Sequence, residues 1–259
     1  MIVLLELVVM GLVVGIFSAL LGLGGGIFLV PALTLIFHLP IRVAVGTSLV
    51  GIIATSAGVS AIAPRGRGAN VGLALKLEIA TTAGAILGSW LAGQIAPKIL
   101  SIIFSMVVFL TAAYVFYKGQ RKVKHVMKES LFEQDYQLKN WGPGLGLAGV
   151  AGTLAGLLGI SGGFIKVPLM YSVMGVPLGI ATATSSFMVG ITAAASVFVY
   201  YGRGDIHPLV AIPTALGVFI GSMVGVYILP RIRARWLRLA LVGLLVLMGF
   251  QMLYRALVA

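Results

Sequence analysis

The chain repeats one apolar pattern 137 residues downstream. The first copy reads LGLGGGIFLVP from Leu21 to Pro31, and the second reads LGISGGFIKVP from Leu158 to Pro168. This spacing indicates an internal duplication. Duplicated halves whose apolar segments are interrupted by Gly and Pro at matching positions are typical of secondary transporters, and the interruptions point to the binding site. The same offset relates Gly15 to Gly152, Pro40 to Pro177, Ala44 to Ala181, and Thr47-Ser48 to Thr184-Ser185.

The composition excludes a soluble globular protein. Of the residues, 60% are hydrophobic and 9% are charged, and the mean hydropathy is +1.12, whereas soluble domains carry about 25% charged residues. The net charge of +12 lies mostly in short connections, where lipid headgroups and membrane topology explain it better than nucleic acid. The chain has no cysteine, and its histidines show no metal-ligand spacing, so we expect no metal or cofactor.

The apolar segments predict an all-α, polytopic membrane protein. A crossing helix needs about 20 apolar residues. A single helix over 142–175 would be about 51 Å long, which exceeds the ~30 Å hydrocarbon core, so it is expected to break at the Gly-rich motif. Two shorter apolar pieces cover 26–38 and 163–175. The predicted crossing segments are 2–21, 43–62, 71–94, 99–117, 142–160, 178–201, 208–229 and 236–257.

The distribution of Lys and Arg predicts the topology. The basic stretch 118–140 is assigned to the cytoplasm as a linker between a first repeat, 1–117, and a second repeat, 141–259. Five passes per half would also place most of the remaining arginines inside and would make the two repeats inverted, as in alternating-access carriers. The arginines assigned to the inside with this linker are Arg65, Arg67, Arg231, Arg233, Arg235 and Arg238.

The two Gly-rich breaks are the first candidate site. A helix that restarts in mid-membrane leaves amide groups unpaired at its N-terminus, with a partial charge of about +0.5. Such backbone is tolerated only where it faces protein or a polar cavity. Gly24-Gly25-Gly26 and Ser161-Gly162-Gly163 are therefore predicted to converge and to bind an anion.

Hydroxyl groups and one lysine complete the predicted substrate site. Thr47, Ser48, Thr184 and Ser185 follow the Pro-containing connections and can donate hydrogen bonds to an oxyanion, although such side chains often bond to their own helix. Lys166 lies three residues after the second break, where the first copy has a leucine. A cation at this depth costs about 2.5–3.5 kcal/mol and suggests a function, unless it reaches an interface.

The acidic residues give a negative prediction. None of the six lies in the middle of a predicted span, and Lys76, Glu78 and His38 are interpreted as interfacial. A proton relay through a buried carboxylate therefore has no predicted carrier. Export of one negative charge down a 100 mV potential yields about 2.3 kcal/mol without a coupling ion, so this absence favours efflux.

These motifs resemble the sulfite exporter TauE/SafE family of bacterial permeases. The resemblance rests on the Gly-rich segment from Gly15 to Pro31, the AVGTS signature from Ala44 to Ser48, their second-half counterparts, and the motif from Gly84 to Ser89. It covers nearly the whole chain. It implies a carrier in the bacterial plasma membrane for sulfur-containing anions such as sulfite or organosulfonates, without specifying which anion.

The sequence prediction is thus an exporter that alternates access around a midplane anion site. Proton- or sodium-coupled uptake of the same anions stays open, as does a non-transport assembly role. An enzyme is not expected, because no paired carboxylates or Ser-His pairing lie within the spans. The expected partners are the anionic substrate and the lipid bilayer, with no nucleic acid; homo-oligomerisation stays open.

Overall fold

The computed structural model describes residues 2–21, 24–62, 69–120, 138–228 and 234–258, and within these ranges the chain is helical with no strand. The predicted all-α fold is confirmed. The linker residues 121–137 and the arginines at 65, 67, 231 and 233 lie outside the described residues. The helices are α1 (Ile2–Leu21), α2 (Gly26–Leu35), α3 (Ile41–Ile62), α4 (Val71–Gln94), α5 (Pro97–Gln120), α6 (Trp141–Leu158), α7 (Gly163–Pro168), α8 (Leu178–Gly202), α9 (Pro208–Ile228) and α10 (Ala234–Val258).

Seven helices in the described ranges, α1, α3, α4, α5, α6, α8 and α9, are long and apolar enough to cross a membrane. The Gly26–Leu35 helix and the 242–258 part of α10 are shorter apolar helices. Because the non-polar surface of a crossing helix must face lipid or other helices, this set makes the chain a multi-pass membrane protein.

The two helix breaks occur where the duplicated motifs predict them. α1 ends at Leu21 and α2 begins at Gly26, while α6 ends at Leu158 and α7 begins at Gly163 and continues as a π-helical segment over Leu169–Val173. Gly24, Gly25 and Gly162 have φ values of 69°, 77° and 65°. Side chains with a Cβ rarely adopt this left-handed conformation, so glycine permits the chain to leave one helix and start the next.

Glycine faces join the first helix of each half to the fourth helix of the other half. A methyl group at Gly84 would overlap the carbonyl oxygen of Gly149, and one at Gly88 would overlap that of Thr153. The Gly84–Ser89 motif therefore serves close helix packing, as small residues spaced four apart do in membrane proteins. Because these contacts advance together along both helices, α4 and α6 run in the same direction.

The duplication relates the α4–α6 pair to the pair formed by α9 and α1. Gly11 lies against Thr214 and Gly217, while Gly15 lies against Val218 and Ser222. These two helices also run in the same direction. Two further packing pairs each join equivalent helices of the two halves: α3 packs on α8, and α5 packs on α10.

Candidate functional site

The two Gly-rich breaks meet inside the protein. A methyl group at Gly24 would overlap the side chain of Ser161, and one at Gly26 would overlap the carbonyl oxygen of Gly159. Each break therefore packs directly on the break of the other half. The site lies where both halves contribute non-helical backbone.

A cavity of about 70 Å³ opens beside this contact. On the criterion that one water needs roughly 10–15 Å³, it has room for a few waters or one small ion. Its walls come from both breaks, the end of α1, and the middle of α3 and α8. The lining residues are Ser18, Ala19, Gly24, Ile52, Thr55, Ser56, Val59, Ser161, Gly163, Val167, Thr182, Ser185, Ser186 and Val189.

The polar character of the cavity comes from seven hydroxyl side chains and from backbone at the breaks. The hydroxyl of Ser56 in α3 donates to the Ser186 carbonyl in α8 at 3.1 Å, which links the two halves at the cavity wall. Ser18 is buried, and its hydroxyl has no hydrogen-bond partner among the described residues. A buried hydroxyl without a partner is destabilising, so it is suited to a ligand that supplies one.

Both restarting helices begin with a glycine cap that has no side chain to bond the first amides. Gly25 caps α2 and Gly162 caps α7. The Gly25 carbonyl accepts from the Phe28 and Leu29 amides at 3.0 Å each. The positive ends of the peptide dipoles therefore point toward the contact between the breaks, where they favour a negative charge.

The structure brings four of the predicted site residues to the cavity wall: Gly24, Ser161, Gly163 and Ser185. The other glycines of the breaks lie next to it. A Cβ on Gly25 would be 3.0 Å from the Ser18 hydroxyl, and Gly26 packs on Gly159. Gly162 lies between two lining residues.

Three predicted hydroxyl residues lie away from the cavity wall. Ser48 donates to the carbonyls of Val45 at 2.7 Å and Gly159 at 3.0 Å, and so joins α3 to the second break. The Thr184 hydroxyl accepts from the Asn70 amide at 3.1 Å, at the start of α4. Thr47 is fully buried, and its hydroxyl has no hydrogen-bond partner in the part of the chain that the structure describes.

Lys166 is buried beside the cavity and forms an ion pair with Glu78 of α4. Its Nζ lies 3.7 Å from Glu78 Oε2 and donates to the Thr192 hydroxyl at 2.6 Å, which in turn donates to Glu78 Oε1 at 2.6 Å. Thr81 and Thr82 donate to the same carboxylate at 2.8 and 3.2 Å. This network of charge-assisted hydrogen bonds joins α4 of the first half to α7 and α8 of the second.

The interpretation of Glu78 as interfacial is wrong, and so is the expectation that the chain offers no buried carboxylate. Glu78 is only 5% exposed. Being the eighth residue of α4, it lies about 10 Å from the start of the helix at 1.5 Å per residue. The position in the sequence indicates a helix end, but α6 and α8 pack on α4, and Lys166 of α7 reaches this turn. The buried Lys166 ammonium is the charge partner of the Glu78 carboxylate.

Five hydroxyl residues of the cavity wall were missing from the predicted site: Ser18, Thr55, Ser56, Thr182 and Ser186. A signal existed for two of them. Thr55 and Ser56 lie two helical turns after Thr47 and Ser48, on the same face of α3. Thr55 also matches Thr192 at the offset of 137 residues.

The chain matches the profile of a known protein family over nearly its whole length. The profile of the family described as "Sulfite exporter TauE/SafE" matches residues 7–252. The chain belongs to the sulfite exporter TauE/SafE family. The matched range includes both breaks and every residue of the cavity wall.

Relatives carry transporter names. "Probable membrane transporter protein YunE" of Bacillus subtilis is 27% identical and covers 96% of both chains. YdhB of the same organism, with the same description, is 26% identical over 95% of this chain and 100% of its own. "Sulfite exporter TauE/SafE family protein 1" of Arabidopsis thaliana is 33% identical over 37% of this chain and 21% of its own. No solved structure matches significantly. This TauE/SafE protein is a multi-pass membrane transporter.

Proposed function

We propose that this protein is a secondary transporter of small sulfur-containing oxyanions, such as sulfite or organosulfonates, in the bacterial plasma membrane. The observation that carries the proposal is the cavity at the contact between the two breaks, lined by hydroxyls from both halves. Helix N-termini and hydroxyl donors are the groups that bind oxyanions. The family description supports the sulfur-containing class.

We further propose that the two halves are inverted repeats that rock around this cavity. α4 and α8 run in the same direction, because Asn70 contacts Thr184 and Glu78 contacts Thr192. α8 and α9 are both long enough to cross the membrane and are joined by only five residues, 203–207, so they run in opposite directions. Combined with the α1–α9 and α4–α6 directions, this orients the first helices of the two halves oppositely. Inverted repeats around a midplane site are the architecture of alternating access.

In this proposal the anion lies between the breaks. Amides of Gly24 to Gly26 and of Ser161 to Gly163 face its charge, while Ser161 and Ser185 donate directly. Ser18, whose hydroxyl has no hydrogen-bond partner in the described ranges, donates from the first half. Thr47, Ser48 and Thr184 act from outside the cavity wall, with Ser48 holding the second break in place.

Lys166 binds the anion in this proposal only after it leaves Glu78. In the conformation described, its charge is compensated by the carboxylate. The buried carboxylate also removes the argument for potential-driven efflux that rested on its absence. Proton-coupled movement of the same anions is therefore the second candidate, and Glu78 is the observation that favours it.

The proposal is tested by initial rates of anion flux in proteoliposomes at controlled membrane potential. The five compounds are the anions sulfite, thiosulfate, sulfoacetate and sulfate, and the zwitterionic sulfonate taurine. We expect saturable flux of at least one sulfur oxyanion, and an apparent affinity that falls at least about 10-fold in Ser185→Ala, since a hydrogen bond to a charged group contributes about 1.5–3 kcal/mol.

The matched control is Ser101→Ala, because the Ser101 hydroxyl bonds the Pro97 carbonyl of its own helix, away from the cavity. It should leave the affinity unchanged. Absence of flux for all five compounds under every ion gradient would reject a transporter of small sulfur-containing oxyanions. Equal effects of the two serine variants would reject the cavity as the site.

A further inference from the structure

Resting on the proposed function, we propose that Glu78 is a proton-binding site that couples transport, and that Lys166 is exchanged between Glu78 and the transported anion. In the unloaded carrier Lys166 pairs with the Glu78 carboxylate. When an anion enters the cavity, Glu78 takes up one proton, and the Lys166 ammonium moves to the anion. The carrier thereby transports one proton with each monovalent anion.

The geometry places the pair next to the cavity. The Lys166 side chain folds back along its own break, and its Cε lies 3.8 Å from where a Cβ of Gly162 would be. Both neighbours of Gly162, Ser161 and Gly163, line the cavity. A lysine has four flexible methylene groups, so its ammonium can reach the anion site by rotamer changes without moving the helix.

Thr192 connects the pair to the cavity on the other side. A narrow crevice lined by Thr192, Ser161 and Val189 adjoins the cavity, which shares Ser161 and Val189. The crevice has no room for a water molecule in this conformation. The hydroxyl of Thr192 accepts from Lys166 and donates to Glu78. It can therefore retain a bond to a protonated Glu78 after the lysine has left.

The charge balance explains why such an exchange is useful in a membrane. The unloaded carrier holds one cation and one carboxylate, which sum to zero. An anion added without a proton would leave one uncompensated negative charge in the moving core, which is costly at this depth. With Glu78 protonated, Lys166 and a monovalent anion again sum to zero. Both the unloaded and the loaded carrier then reorient without net charge.

No other charged side chain competes for Glu78 in the described part of the chain. α6, which packs on α4, contains no titratable residue from Trp141 to Leu158. On α4 itself, Lys76 is exposed and stacks on the Trp141 ring at 5.3 Å. Tyr171 of the π-helical segment is exposed, and the Tyr200 hydroxyl bonds the carbonyls of Gly156 and Leu157. Lys166 is the one charge paired with this carboxylate in the described residues.

The variant that tests the exchange is Glu78→Gln, which mimics the protonated acid. In this variant Lys166 is free for the anion, so the loaded carrier is neutral but the unloaded carrier bears one positive charge. We expect anion–anion exchange to persist within about threefold of the wild type. Net proton-coupled flux should fall on the order of 100-fold, since an unpaired charge must cross the core.

The assay uses proteoliposomes with a trapped pH dye, clamped at zero potential, and gradients of sulfite, thiosulfate, sulfoacetate or methanesulfonate. The number of protons moved per anion is compared between wild type and variant for each anion that is carried. Because passive protonation of an anion such as sulfite affects both proteins equally, we expect the variant's residual net flux to move one proton fewer per anion. Glu78→Asp should retain coupling at a lower rate.

Glu6→Gln is the matched control, since it makes the same chemical change at an exposed carboxylate of α1. It should keep the wild-type proton count. An unchanged proton count in Glu78→Gln would overturn the inference, as would joint loss of exchange and net flux in a variant that remains monodisperse. Absence of exchange for all four anions in the wild type would reject the proposed function itself, whereas net anion flux without proton movement would reject only the coupling.

Discussion

The two breaks share a backbone plan but differ in chemistry. In the second half, α7 carries Lys166, which forms a buried ion pair with Glu78 of α4. The offset of 137 residues places Leu29 on α2 at the position equivalent to Lys166. The offset of 133 residues, which aligns the Gly84–Ser89 motif with Gly217–Ser222, places Ala211 on α9 at the position equivalent to Glu78; both are buried apolar residues. Leu29 packs on Gly51 beside Val218.

Duplication therefore supplied the scaffold, and only one of the two equivalent contacts between the halves acquired a charged network. The Gly-rich caps, the helix restarts and the packing glycines recur in both halves because the fold needs them. A charge pair costs desolvation wherever it is buried. Its presence at only one of the two equivalent contacts therefore indicates a role in function rather than in the fold.

The largest expected effect comes from placing the same methionine in both positions. Lys166→Met leaves Glu78 as an unpaired buried carboxylate and should lower the free energy of unfolding by about 3–5 kcal/mol. Leu29→Met conserves volume in an apolar site and should cost less than about 1.5 kcal/mol. Unfolding titrations in mixed micelles measure both values. Equal losses would mean that the two sites are not chemically different.

An intermediate effect is expected from the threonines related by the duplication. Thr192 bridges Lys166 and Glu78, so Thr192→Val should cost about 1.5–3 kcal/mol, the range for hydrogen bonds to charged groups. Thr55 donates to the Gly51 carbonyl of its own helix at 3.0 Å, so Thr55→Val should cost about 1 kcal/mol or less. The same unfolding titration applies. A reversed order would exclude Thr192 as a bridge.

The smallest effect is expected from making the two breaks alike. Ser161→Gly gives the second break the Gly-Gly-Gly sequence of the first and removes one hydroxyl from the cavity wall. The apparent anion affinity should fall about 10-fold, the lower bound that also applies to Ser185→Ala, because a hydrogen bond to a charged group contributes about 1.5–3 kcal/mol. Flux measurements at varied anion concentration test this. An unchanged affinity would remove Ser161 from the anion's donors.

The fold and the position of the site could largely be predicted from the sequence because both depend on local patterns. Apolar length predicted the crossing helices, and repeated glycines predicted where they break. The residues around the cavity depend on tertiary contacts. Lys166 and Glu78 are 88 residues apart in the chain, and no local pattern relates them. The place of Glu78 in the helix predicts an interfacial residue, whereas the helices packed on α4 determine its burial.

The cavity hydroxyls illustrate the same limit. Ser185 was identified because its neighbourhood is duplicated, but Ser18 and Ser186 lack a duplicated partner and reach the cavity through helix packing. Conversely, Thr47 and Thr184 share the duplicated motif and lie away from the cavity wall. A repeated motif thus predicts the region of a site better than its individual donors.

In the proposed mechanism, a small oxyanion binds where the two breaks meet. A crystal structure with selenite, a selenium analogue of sulfite, tests it directly through the anomalous signal of selenium. We expect an anomalous selenium peak in the cavity within hydrogen-bond distance of Ser161 and Ser185. A selenium peak found only elsewhere would contradict binding at the breaks. One such place is a separate cavity that Lys98 and Arg255 line.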